Sequence, residues 1–101
     1  MQTLAALGDP TRRRIVEMLA QGSLSSGEIA GRFAVSAPAV SQHLRILRDA
    51  RLVRVRVEGQ KRIYELDRTG VEEVSAWVAG IRRFWGSRLD TLEGLLQRES
   101  S

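Results

Sequence analysis

The stretch that decides the fold is SSGEIAGRFAVSAPAVSQHLRILRDARLVRVRVEGQKRIYELD, residues 25–67. It opens on a capping box. Ser25 stands three positions before Glu28, so hydroxyl and carboxylate each satisfy an orphan amide at a helix start. A short helix is predicted from Glu28 through Phe33, with Ile29 and Phe33 four apart on one face. Ala34, Val35 and Ser36 make a three-residue turn. Ser36 then caps a second helix that reaches about Ala50, with Pro38 tolerated in its first turn. From Leu52 the period drops from helical to two. Val53, Val55 and Val57 alternate with Arg54 and Arg56, Gly59-Gln60 makes a tight turn, and Ile63, Tyr64 and Leu66 form the returning strand. A two-residue turn sets Arg54 opposite Glu65 as a cross-strand ion pair.

Upstream, Thr3–Leu7 is a short apolar helical piece closed by Gly8. Asp9 caps the next helix, and Pro10 takes the first helical position, where its missing N–H costs nothing. That helix runs to about Ala20 on a buried stripe of Ile15, Val16 and Leu19, and Gly22 ends it. Arg12-Arg13-Arg14 sits at the positive end of the helix dipole, a poor place for cations. The run serves either a phosphate or carboxylate partner, or local pairing of Arg12 or Arg13 with Asp9 or Glu17, the second being the plainer reading.

Downstream, one long helix is expected from about Val71 to Arg98. Its stripe, Val71, Val74, Val78, Ile81, Trp85, Leu89, Leu92 and Leu96, is spaced by threes and fours. Such a helix is ~42 Å long, more than a chain of this size needs to cover its own core. Residues 1–7 and 71–98 are therefore expected to form the dimerisation helices of a single domain, residues 1–101. The expected interface is Leu4, Leu7, Val78, Ile81, Trp85, Leu89, Leu92 and Leu96. Trp77 and Phe84 widen the stripe. Trp77, Phe84 and Trp85 either pack or line an effector pocket, packing being the simpler reading.

Composition narrows the function. The chain has 101 residues, 43% hydrophobic and 28% charged, with a formal net charge of +4. That is a single ordinary globular domain. Cysteine is absent and there is one histidine, which excludes disulfides, thiolate nucleophiles and a multi-histidine metal cage. No cofactor is expected. No apolar run is long enough to span a bilayer, and the N-terminus lacks a secretory pattern, so a cytoplasmic location without membrane insertion is expected. The charge is uneven: Arg45, Arg48, Arg51, Arg54, Arg56, Lys61 and Arg62 stand against only Asp49 and Glu58 between residues 45 and 62. The rest is nearly neutral. A focused basic patch suits a polyanion, because each neutralised phosphate releases counterions. On charge alone a solvated face explains it equally well.

Two short helices across a tight turn, followed by a basic ribbon, have the order of a winged helix-turn-helix. The expected fold is mostly α with a two-stranded β-hairpin wing, in the order α-α-α-α-β-β-α. On a helical wheel Val40, Leu44 and Leu47 face the core, while Pro38, Ser41, Gln42 and Arg45 face outward. In such a motif the second helix enters the major groove and the ribbon reaches the neighbouring backbone or minor groove of double-stranded DNA. Gln42 has the shape to pair with adenine, Arg45 with guanine or a phosphate, and Ser41 with either kind of partner. His43 lies beside the core stripe, which fits a structural or phosphate role better than a metal. No Gly-rich phosphate loop and no plausible nucleophile–histidine–carboxylate set is present, so an enzyme is not expected.

The segments ALGDPTRRRIVEMLAQG and residues 25–67 resemble the ArsR-type bacterial transcriptional regulators, most specifically in Ser41, His43, Leu44 and Leu47 followed by Ala50-Arg51-Leu52-Val53. The resemblance covers nearly the whole chain. It implies a homodimeric winged-helix repressor on an imperfect palindrome, often of its own operon. It implies DNA contacts from Ser36, Pro38, Ser41, Gln42, His43 and Arg45, and from Arg56, Gln60, Lys61 and Arg62 in the wing. Metal sensing does not carry over, because this chain has no cysteine and no histidine in its last helix. FWGSRLDTLEGLL is similar to a metal-independent branch. No inducer is implied, and a small-molecule or protein anti-repressor stays open. A protein-interaction module and a nonspecific architectural DNA-binding protein remain the alternatives on the same fold.

Overall fold

The computed structural model describes residues 1–100 and, from residue 87 onward, the side chains of Arg88 and Leu96 only. The order is α1 (Gln2–Ala6), α2 (Pro10–Ala20), β1 (Leu24–Ser25), α3 (Ser26–Ala30), α4 (Ala37–Asp49), β2 (Val53–Glu58), β3 (Lys61–Leu66) and α5 (Arg68–Ser100). The caps sit where short-range chemistry puts them. Asp9 Oδ1 accepts from the amides of Thr11 at 2.8 Å and Arg12 at 3.1 Å, with Pro10 opening α2. Ser25 and Glu28 form the full capping box of α3, at 3.2 and 3.0 Å. Ser36 Oγ accepts from the amide of Ala39 at 3.3 Å to start α4.

The expected two-stranded wing is present as β2 and β3, and a short strand that the sequence reading lacked joins it. Three strands pair in the order β1-β3-β2, all antiparallel. Leu24 pairs with Tyr64 and Ser25 with Ile63, which makes β3 the central strand. A two-residue strand is too short to show a period, and only pairing with β3 extends it. The hairpin itself has the expected register, with Arg54 opposite Glu65 and Glu58 opposite Lys61 around Gly59 at φ +62°. The alternation does not stay half-buried, however. Val53 is buried, Val55 partly so, and Val57 is 74% exposed, because the ribbon runs out past the helices. α3 also ends earlier than expected, at Ala30, with Gly31 as its cap.

The core lies where α2, α3 and α4 meet β2 and β3. Ile15, Ile29, Val40, Leu44, Leu47, Leu52 and Val53 are each exposed by 2% or less. Met18 and Leu19 join them, while Val16 is only partly covered. Burying such side chains contributes roughly 1.5–3 kcal/mol each.

α4 ends in a Schellman motif. The amide of Leu52 donates to Leu47 O and that of Arg51 to Arg48 O, both at 2.9 Å. Arg51 adopts φ +58°, a left-handed conformation usually filled by glycine at this position. The motif reverses the chain from α4 into β2. α5 docks on the same corner, since Asp67 N donates to Leu52 O at 2.8 Å. It starts at Arg68, earlier than the expected Val71, and at ~1.5 Å per residue its 33 residues extend ~50 Å. The molecule measures 66 × 27 × 21 Å, so α5 projects well beyond the core. No described helix is long and apolar enough to cross a membrane.

Candidate nucleic-acid interface

α4 presents two faces. Val40, Leu44 and Leu47 point into the core, and Ser41, Gln42 and Arg45 are exposed, as the wheel requires. Ser36 and Pro38 are exposed at its start. The same outward side meets the wing: a cleft of about 350 Å³ between α4 and β3 is lined by Ser41, Arg45, Arg48, Asp49, Arg62 and Tyr64. Helix and ribbon thus share one basic surface.

The structure sorts the basic residues that composition could only count. Arg54 Nε lies 2.9 Å from Glu65 Oε1. Arg56 Nη1 lies 2.5 Å from Glu58 Oε2, and its Nε lies 3.9 Å from Glu65 Oε2. Arg45, Arg48, Lys61 and Arg62 have no carboxylate partner among the described residues. The expected DNA contacts Arg45, Lys61 and Arg62 therefore form no ion pair among the described residues, though Lys61 lies near enough to act on Glu28, whereas Arg56 is already paired. Gln60 is exposed at the hairpin turn.

His43 is half-buried, as expected from its place beside the core stripe. Arg12 Nη1 lies 3.3 Å from His43 Nδ1. A guanidinium only donates, so Nδ1 accepts and the neutral ring carries its proton on Nε2. Arg12 Nε also donates to Ala6 O at 2.6 Å, and Arg13 Nη1 to Leu7 O at 2.8 Å. Among the described residues Arg12 and Arg13 form no ion pair, although the Arg12 charge acts on Asp9. Arg12 and Arg13 bind carbonyls at the end of α1, where the helix dipole is negative, and it is Arg14 that faces Glu17, at 3.9 Å. The backbone amide of Arg12 holds the Asp9 carboxyl below its usual range, helped by the Thr11 amide and by the Arg12 guanidinium charge nearby.

Arg48 and Tyr64 belong to the cleft although sequence reasoning did not single them out. Arg48 is three residues from Arg45 on a helix, and Tyr64 two from Arg62 on a strand, so both periodicities contained the signal. Of the expected dimer residues, Leu4 and Leu7 are half-buried, Leu7 against the core. Val78 and Ile81 are 37% exposed, Trp85 51% and Leu96 64%. The side chains of Leu89 and Leu92 lie outside the described residues.

A capped helix-turn-helix with its outer face clear and a basic ribbon beside it defines a winged-helix DNA-binding protein. Residues 9–55 match the model of the bacterial regulatory protein arsR family. The chain is 48% identical to the HTH-type transcriptional regulator Rv2034 of Mycobacterium tuberculosis, over 93% of this chain and 85% of that one. It is 37% identical to the transcriptional repressor SdpR of Bacillus subtilis, over 72% and 81% of the two chains. Among solved structures, HlyU from Vibrio cholerae superposes with a TM-score of 0.66 at 37% identity, covering 83% of this chain and 88% of that one. The protein belongs to the ArsR family and is a DNA-binding transcriptional regulator, not an enzyme.

Proposed function

We propose that this regulator is a repressor that binds an imperfect palindromic operator as a homodimer, controls its own transcription, and does so without a metal signal. The observation that carries the reading is the shared surface of α4 and the wing, where unpaired Arg45, Lys61 and Arg62 flank exposed Ser41 and Gln42. On this reading Ser36, Pro38, Ser41, Gln42, His43 and Arg45 meet the major groove, and Arg56, Gln60, Lys61 and Arg62 the adjoining backbone. Repression is supported by the likeness to SdpR, which is named a transcriptional repressor. The dimer is supported by the uncovered stripe on α5, where Trp77, Phe84 and Trp85 are 47%, 54% and 51% exposed. An apolar stripe of that size on one projecting helix calls for a second helix against it. Independence from metal is supported by the donor set, with no cysteine and one histidine, itself engaged by Arg12.

Selection of genomic fragments by the purified protein, followed by footprinting, tests the reading. The expected result is protection of two half-sites about one helical turn, ~34 Å, apart upstream of its own gene. A reporter on that fragment should fall when the protein is supplied and stay unaffected by metal salts. A reporter that rises instead identifies an activator, and equal binding of every fragment identifies an architectural protein.

A further inference from the structure

We infer that the cleft between α4 and the wing is a built oxyanion site that seats one phosphate, with the Tyr64 hydroxyl as a donor at its wall. The inference rests on the DNA-binding reading for its occupant, a backbone phosphate of the duplex, but the site stands on its own geometry.

Tyr64 is only 5% exposed and lies on the central strand, paired with both Leu24 and Val55. Its ring fills the core. Its hydroxyl has no hydrogen-bond partner among the described residues, yet no buried side-chain oxygen is left unsatisfied. The hydroxyl is therefore not sealed inside the core, and Tyr64 is one of the residues that line this cleft. A buried tyrosine usually finds a partner for its oxygen. Here no partner is present in a cleft that three arginines also line: Arg45 and Arg48 from α4, and Arg62 two residues before Tyr64 on β3.

None of the three arginines has a carboxylate partner among the described residues, in contrast to Arg54 and Arg56 on the paired strand β2. The Ser41 hydroxyl closes the set of donors. Asp49 is the one acidic group on the wall, so the lining keeps an excess of two positive charges. Five donors around a space of about 350 Å³ are the complement of a tetrahedral phosphate, which offers only acceptors. The placement also assigns work within the interface. Gln42, off the cleft, is free to read a base edge. Tyr64, Arg48 and Arg62 fix how far the wing stands from the recognition helix on the duplex, because one phosphate bridges both elements.

Tyr64 is the sole tyrosine of the chain, so 13Cζ-tyrosine labelling yields a single resonance at the site. The full-length protein is titrated with inorganic pyrophosphate and, separately, with a short duplex of arbitrary sequence. Both are expected to shift the Tyr64 signal saturably. Tyr64→Phe, which keeps the ring, should weaken the duplex about tenfold with the thermal midpoint unchanged. Arg48→Ala should lower the salt slope of duplex binding by about 0.9, and Asp49→Asn should tighten pyrophosphate. A Tyr64 signal that moves with pyrophosphate while Tyr64→Phe and Arg48→Ala bind duplex like the wild type keeps the site and overturns its DNA occupant. Failure of the wild type to bind any duplex defeats the repressor reading, and the pyrophosphate titration still decides the cleft. A Tyr64 resonance indifferent to both ligands overturns the inference altogether.

Discussion

The amide of Gly70 donates to the carbonyl oxygen of Arg51 over 2.7 Å, joining the first turn of α5 to the left-handed residue that ends α4. The two backbones are so close that a Cβ on Gly70 would stand 2.2 Å from that oxygen. The end of α4 and the start of α5 therefore meet backbone to backbone at one corner.

Substitutions at that corner should have opposite signs. Gly70→Ala forces backbone apart and is expected to cost about 2–4 kcal/mol. Arg51→Gly relieves the positive φ and should stabilise, or at worst be neutral, within about 1 kcal/mol. Urea unfolding of the two variants measures both. A Gly70→Ala protein as stable as the wild type would show that α5 docks elsewhere.

Acid should weaken the caps of α2 and α3. The Arg12 and Thr11 amides lower the Asp9 carboxyl, and the Ser25 amide and hydroxyl lower that of Glu28. Groups depressed in the folded state contribute stability above their unfolded values, and that stability is lost as pH falls through the folded ones. Stability is thus expected to decline below about pH 4. Asp9→Asn with Glu28→Gln should flatten that decline in thermal melts, while leaving the curve near neutrality almost parallel.

Base reading and charge should separate in binding assays. Gln42→Ala is expected to cost about 1–3 kcal/mol on the selected operator and little on random duplex. Lys61→Ala should weaken both alike and reduce the salt slope by about 0.9. Arg56→Ala should reduce it less, because Glu58 already offsets that guanidinium. Fluorescence anisotropy across a salt series checks all three, and an equal loss on every sequence for Gln42→Ala would remove it from the reading surface.

The α5 stripe should fail as an interface when charged. Ile81→Asp and Trp85→Asp each place a carboxylate at a site that a second subunit would bury, and sedimentation equilibrium should show monomers at micromolar concentration. Circular dichroism should stay helical, since neither side chain packs in the monomer core. A wild-type monomer at the same concentration would instead sink the homodimer.

The sequence alone determined everything that acts over three or four residues. Asp9, Ser25 and Ser36 cap helices because their oxygens reach amides two or three positions on. Val40, Leu44 and Leu47 face inward because a helix repeats every 3.6 residues. The Gly59-Gln60 turn fixes the hairpin register and with it the Arg54–Glu65 pair. Tertiary structure decided what depends on partners distant in the chain. β1 exists as a strand only because β3 lies beside it. Arg12 and Arg13 turn to the carbonyls of α1, not to nearby acids, because folding sets α1 against them. Arg45, Arg48 and Arg62 differ from Arg54 and Arg56 only in where Glu58 and Glu65 come to lie. Residue counts fix the total charge; the approach of β3 to α4 decides which of it is left for DNA.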